Sequence, residues 1–125
     1  MHSESHEEII SEARKEYKSI LDESKQGIYI FLDDVNKICN EKFASMLGYP
    51  SANAWEKVTE NFPTAFVSEK SQSILIDAYQ DAMNNSIASN IKVTWKKNKG
   101  GEVNTNVILV PISCKNHSLA MHFVS

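Results

Sequence analysis

The chain has 125 residues, of which 42% are hydrophobic and 23% charged, with a formal net charge of -3. That length and composition fit a single globular domain able to bury roughly two-thirds of its unfolded surface. The small negative charge gives no reason to expect nucleic acid or an anionic membrane as a partner, and no apolar run of about 18 residues is present to span a bilayer. Two cysteines, Cys39 and Cys114, without a signal peptide, point to a reducing, cytoplasmic setting, and nothing supports a disulfide between them. No internal repeat or low-complexity tract is present.

Residues 1–4 are expected to fray. Ser5 and Glu8 make a capping box ahead of Ile9 and Ile10, with Glu7, Glu8 and Glu12 early and Lys15, Lys18 and Lys25 late, as the helix dipole favours. A helix is therefore predicted over 5–24. Its apolar residues Ile9, Ile10, Ala13, Tyr17, Ile20 and Leu21 recur at three- and four-residue intervals, forming one stripe that needs a cover.

Ile28 to Leu32 is an unbroken apolar, β-favouring run bounded by Gly27 and by Asp33-Asp34, and it predicts a strand buried on both sides. Val35, Ile38 and Cys39 give the returning strand. Asn40 then stands where a helix N-cap would, Phe43 and Leu47 share a helical face, and Gly48 can take the left-handed conformation that ends a helix. Between residues 50 and 67, Ser51 can cap a short helix carrying Ala54, Trp55 and Val58, while Phe62, Pro63 and Phe66 make an aromatic, broken connector. Ser68 is placed to cap a longer helix with Ile74, Leu75, Ala78, Tyr79, Ala82 and Met83 at helical spacing, ended by Asn84 and Asn85.

Three more strands follow. Ile91, Val93 and Trp95 alternate with Lys92, Thr94 and Lys96; a turn at residues 98–101 leads into a fourth strand over 103–112, where Pro111 predicts that pairing stops. A polar turn over 114–118 precedes a fifth strand over 119–124. Both faces of these last two strands are apolar, since Val107 and Leu109 alternate with Ile108 and Val110, and Leu119, Met121 and Phe123 with Ala120 and Val124. A sheet with one wet face would alternate apolar with polar, so the outer face also wants a cover, and the N-terminal helix is the available one.

The order strand, Asp-rich turn, strand, then Asn40, Phe43, Leu47, Gly48 and Tyr49 as N-x-x-F-x-x-x-L-G-Y, resembles the opening of a PAS domain. The basic, Gly-ended turn from Lys96 to Gly101 and the Val110-Pro111-Ile112 segment resemble that family's third-to-fourth-strand turn and the close of its fourth strand. The resemblance covers about residues 20–125; the turn from Asp33 to Asn36 departs from the family by being short and lacking its usual glycine. It implies an α+β fold: a five-stranded antiparallel sheet with helices across the inner face and an N-terminal amphipathic helix on the outer face. Residues 1–24 would then be a cap or dimerisation helix and 25–125 the PAS domain.

The same resemblance implies a sensor module in signal transduction, binding a small apolar ligand or homodimerising, with any kinase or transcriptional output supplied outside this chain, as in two-component systems. Because the chain stops at the fifth strand, an excised domain or a short protein acting by association is expected. Ile30, Leu32, Phe43, Leu47, Leu75, Tyr79, Val93, Trp95, Leu109 and Met121 are expected to line an inner cavity or core, with Trp55 and Phe66 either its lid or ligand contacts. Ile9, Ile10, Ala13, Tyr17 and Ile20 are expected to form a dimer interface, packing in cis being the alternative.

The sequence names no cofactor. The flavin-photosensor motif is absent, since Cys39 precedes Asn40 and no Arg-Phe-Leu-Gln follows, and the helix that would carry a haem histidine contains none. Of His2, His6, His117 and His122, the last is assigned to the outer face, opposite in parity to Met121. Asp33 and Asp34 read as turn formers and not a metal pair, and the lysines around the third strand as a solvated face. A small cone-shaped, isomerase-like enzyme is the alternative class; it needs a tuned acid or base in its cavity, and every inward position assigned here is apolar.

Overall fold

Antiparallel pairing orders five strands as β2-β1-β5-β4-β3, where β1 is Gly27–Phe31, β2 Lys37–Cys39, β3 Ser89–Lys96, β4 Glu102–Cys114 and β5 His117–Val124. The structure is a computed structural model describing residues 5–125; the expected fraying of residues 1–4, and His2, lie outside the described residues. The last strand is the central one. It pairs with β1 from Gly27↔Val124 to Phe31↔Ala120 and with β4 from Val107↔Val124 to Cys114↔His117.

Turn chemistry sets each hairpin. The Asp33 carboxylate accepts from the backbone N–H groups of Val35 (2.9 Å) and Asn36 (2.7 Å), closing the first turn. Lys115 and Asn116 carry φ of 48° and 65°, the paired left-handed geometry of a two-residue hairpin whose twist matches its strands. That tight turn lengthens β4 to Cys114, past Pro111 where pairing was expected to stop. Beyond Leu109, which pairs with Ser89 at the start of β3, the ladder joins β4 only to β5, so a missing proline donor costs less there.

The helices are α1 (His6–Glu16), α2 (Lys18–Glu23), α3 (Glu41–Met46), α4 (Ala52–Glu56), α5 (Phe62–Phe66) and α6 (Glu69–Asn85). Side-chain caps start four of them: Ser5 accepts from Glu8 N–H, Asn40 from Phe43, Ser51 from Ala54 and Asn61 from Thr64. Ser68 stands at the cap position of α6 but makes no side-chain cap bond. Its backbone N–H instead donates to Thr94 O at 2.9 Å, and Ser71 Oγ accepts from Thr94 N–H at 2.9 Å, so the start of α6 covers the edge of β3. The helix predicted over 5–24 is interrupted at Tyr17, which leaves Leu21 buried with the α1 stripe and turns Ile20 outward at 41% exposure.

The sheet has a core on each face. On the inner face Tyr29, Val93, Trp95, Val107, Leu109, Ala120 and Val124 pack with Phe43, Leu47, Trp55, Phe66 and Leu75. On the outer face Ile28, Ile30, Ile38, Leu119 and Met121 pack with Ile9, Ile10, Ala13 and Leu21. Ile30, Leu32 and Met121, expected to face the inner cavity, therefore face outward. The reason is parity: β1 is apolar at every position, and on β5 the bulkier set Leu119, Met121 and Phe123 goes to the face that α1 covers, so hydrophobicity alone selects the wrong side. Cys39 and Cys114 are free and belong to different faces.

Ile9 and Ala13 are fully buried against their own chain and Ile10 nearly so, the cis alternative for the N-terminal stripe. Ile9→Ala should then destabilise the monomer by about 2–5 kcal/mol, read as a lower urea midpoint at unchanged slope. A loss below about 1 kcal/mol would mean that α1 does not stay docked on the sheet.

Candidate functional site

Between the inner face of the sheet and helices α5 and α6 lies a cavity of about 150 Å³. Its lining comes from four places: Tyr29 and Phe31 on β1 with His122 on β5, Asp34 in the first turn, Phe62 and Pro63 on α5, and Leu75, Ile76 and Tyr79 on α6. Tyr29 and His122 are cross-strand partners on the same face, and their rings stack with centroids 3.8 Å apart and planes 10° from parallel. Phe31 meets Phe62 and Tyr79 edge-on, at 5.1 and 5.4 Å. The walls are aromatic.

Two polar atoms interrupt them. Tyr29 Oη and His122 Nδ1 are buried without a hydrogen-bond partner, and a third such atom, Trp55 Nε1, belongs to a residue outside the lining. An unsatisfied buried polar group costs about 1–3 kcal/mol, and two such groups sit on adjacent rings of residues that line the cavity. Burial pushes the Tyr29 hydroxyl well above its ordinary range, keeping it protonated. Burial also pulls His122 down to about 3, against the opposing effect of the nearby Tyr29 and Ala120 backbone. The imidazole is neutral at physiological pH and a poor general base there. It can give or accept a hydrogen bond.

A charged network braces the cavity from behind. Lys37 is only 3% exposed, and its ammonium donates to Asp34 O (2.9 Å), Glu56 O (3.3 Å) and Val58 O (2.5 Å) while standing 5.1 Å from the Trp55 ring centroid. Burial lowers the Lys37 pKa, opposed first by the charges of Asp34 and Glu56. The Asp34 carboxylate accepts from Phe62 N–H at 3.0 Å, fixing the start of α5. Glu56 accepts from Arg14 on α1 at 2.6 Å and from Cys39 N–H at 3.1 Å. These charges are occupied in holding backbone.

Leu75 and Tyr79, expected in the cavity, line it. Phe43, Leu47, Trp55, Phe66, Val93, Trp95 and Leu109 lie in the inner core around it without lining it. His122, assigned to the outer face, lies on the inner face with its ring in the cavity wall, a consequence of the same β5 parity that turned Met121 outward. The inward positions are therefore not all apolar. Lys37 escaped the sequence reading because Val35, taken as a strand residue, sits exposed in the turn while a lysine occupies the buried strand position. Of the expected dimer stripe, Ile9, Ile10 and Ala13 are covered in cis, Tyr17 is half-buried and Ile20 exposed.

Cys39 packs in the inner core with its thiol pushed up by burial and then by Glu56 and Glu41, the opposite of an activated thiolate. Among the described residues no three His, Cys, Asp or Glu side chains converge as a metal site, and no helix is long and apolar enough to cross a membrane.

The strand order, the short helices between β2 and α6, and α6 laid across the inner face define a PAS fold. Solved structures agree. The PAS domain of an HTR-like protein from Haloarcula marismortui superposes with a TM-score of 0.62 at 12% identity, covering 93% of each chain. A PAS domain from Colwellia psychrerythraea gives 0.69 at 14%, covering 90% of this chain and 95% of that one. The PAS domain of a LuxR-family transcriptional regulator from Burkholderia thailandensis, solved in complex with ethanol, gives 0.62 at 14%, covering 86% and 94%. No family model and no curated protein matches the sequence. The likeness is one of fold.

Folded His122 takes a proton only near pH 3, whereas the unfolded chain takes it near the ordinary value of 6.5. In that window the unfolded state binds more protons, so stability should fall as pH drops from about 6.5 toward 3, at up to about 1.4 kcal/mol per unit from this group. Urea unfolding at pH 7, 5 and 4 should show His122→Phe with a flatter pH dependence than the parent. Parallel curves would place His122 in water.

Proposed function

We propose that this chain is a PAS sensor module in which residues 25–125 bind a small, largely apolar molecule and residues 5–24 form a cap on the outer face. The observation that carries this reading is the aromatic cavity with two unpartnered polar atoms beneath α5 and α6. Its position between sheet and helices is where a ligand can favour one helix arrangement over another, which is all that sensing requires. That the Burkholderia thailandensis neighbour was solved with ethanol supports a small organic occupant. Neighbours from sensor histidine kinases and transcriptional regulators support an output of that kind; in this reading any kinase activity lies outside this chain and the module works in the cytoplasm. A fragment titration followed by amide NMR should give saturable shifts at Phe62, Leu75 and Tyr79. Shifts confined to the outer face, or none, would leave a filled-core module.

Homodimerisation is a second part of the reading, favoured by what α1 leaves uncovered. Ile108 is 45% exposed on the outer face of β4, beside half-buried Phe123 with which it pairs on β5, and Val110 and Ile112 continue the strip. A second copy of the chain covers it, with Tyr17 packed beside the strip. Ile108→Glu should then convert a dimer to a monomer in native mass spectrometry without loss of fold, and a parent chain that is monomeric at tens of micromolar would end the proposal.

A further inference from the structure

Resting on the sensor reading above, we propose that the cavity selects a neutral, single-ring molecule carrying one hydroxyl, a phenol-class ligand whose oxygen bonds both Tyr29 Oη and His122 Nδ1. Size comes first. A cavity of about 150 Å³ is the size that accepts benzene in a protein core, so one ring fits and a fused dinucleotide cofactor does not. The walls ask for a ring as well: Phe31, Phe62 and Tyr79 already meet edge to face, and an aromatic guest extends that pattern.

The polar count selects the substituent. The protonated Tyr29 hydroxyl is free to donate one hydrogen bond, and in the proposed complex the neutral His122 imidazole takes the Nε2–H tautomer and accepts one at Nδ1. A hydroxyl is the smallest group that accepts the first and donates to the second. The two rings stack with centroids 3.8 Å apart, so both polar atoms belong to one neighbouring pair of side chains. Charge then narrows the class. Among the described residues Asp34 is the one charged residue in the lining and repels an anion, while the buried Lys37 beside it is committed to three backbone carbonyls. A carboxylate has no counter-ion waiting inside.

Calorimetric titration of the full chain with phenol, benzene, benzoate and benzylamine tests this. Phenol should bind about tenfold more tightly than benzene, the worth of one to two net hydrogen bonds, and benzoate should not bind. Tyr29→Phe and His122→Phe should each reduce phenol toward the benzene affinity while leaving benzene itself bound. Tyr29→Phe keeps the ring, so it remains informative should the second variant fold poorly. Equal affinities for benzene and phenol, tighter benzoate or benzylamine, or variants that leave phenol unchanged would overturn the hydroxyl selection while the cavity survived as a ligand site. If none of the four bound but NMR found another cavity-bound fragment, the phenol class would fall and the sensor reading stand; no cavity ligand of any kind would end both.

Discussion

One side chain amide holds the junction from which the inner face is built. Asn40 Oδ1 accepts from Ile28 N–H at 3.0 Å and from Phe43 N–H at 2.9 Å, its Nδ2 donates to Gln26 O at 3.0 Å, and its own N–H donates to Ile28 O at 3.0 Å. The same residue thus ends β2, starts α3 and pins the entry to β1, in a buried site where water cannot replace a lost bond. Gly27 makes the junction possible. A Cβ there would lie 2.9 Å from Met46 Sδ and 3.1 Å from Phe43 Cα, so α3 rests directly on the β1 backbone. This contact brings Phe43 to 4.8 Å from the Tyr29 ring, and Tyr29 in turn carries the stacked His122. The geometry of the cavity wall descends from a hairpin and a cap.

That junction was legible in the sequence because each of its signals is local. An Asn before a helical face, a Gly after it and an Asp-rich turn before it act over a few residues, and all three do in the structure what their chemistry predicts. The apolar runs likewise announced strands, and the stripe on α1 announced a covered outer face. What could not be read was parity. A strand that is apolar on both sides presents two equivalent ways to face, and the choice is made by which neighbours arrive, here α1 on one side and α5 and α6 on the other. Ile30, Met121 and His122 changed sides together for that single reason.

The polar interior was hidden by a different cause. A histidine in an apolar strand and a lysine at a hairpin end are ordinarily solvent-facing, and nothing near Lys37 in sequence shows that the carbonyls of Glu56 and Val58 will converge on it. Its partners come from an irregular segment some twenty residues away, whose path is set by tertiary packing of Trp55, Phe62 and Phe66. Trp95 shows the contrast. Its indole N–H donates to Thr105 Oγ1 at 2.8 Å across the β3–β4 ladder, the diagonal neighbour two residues on from its register partner Val103, so pairing supplies the bond. Polar groups satisfied within a ladder follow from pairing, and those satisfied between elements do not.

The inter-element network also gives the cavity a physical connection to the outer face. Phe62, in the cavity wall, is held by Asp34; the Asp34 carbonyl is held by Lys37; Lys37 also holds the Glu56 carbonyl; and the Glu56 carboxylate reaches Arg14 on α1. The inner links are part-buried and charge-assisted, so moving one without the others strands an ammonium or a carbonyl, which makes the segment respond as a unit. The outer link is weaker, because Arg14 is about half exposed and a solvated ion pair gives little by itself. Glu56 compensates by being mostly buried and by also bonding Cys39 N–H, so α1 is attached to a carboxylate that the sheet already holds in place. A guest in the cavity can therefore act on α1 only if it prefers one position of α5 over another, and the strength of that preference bounds any signal that leaves the domain.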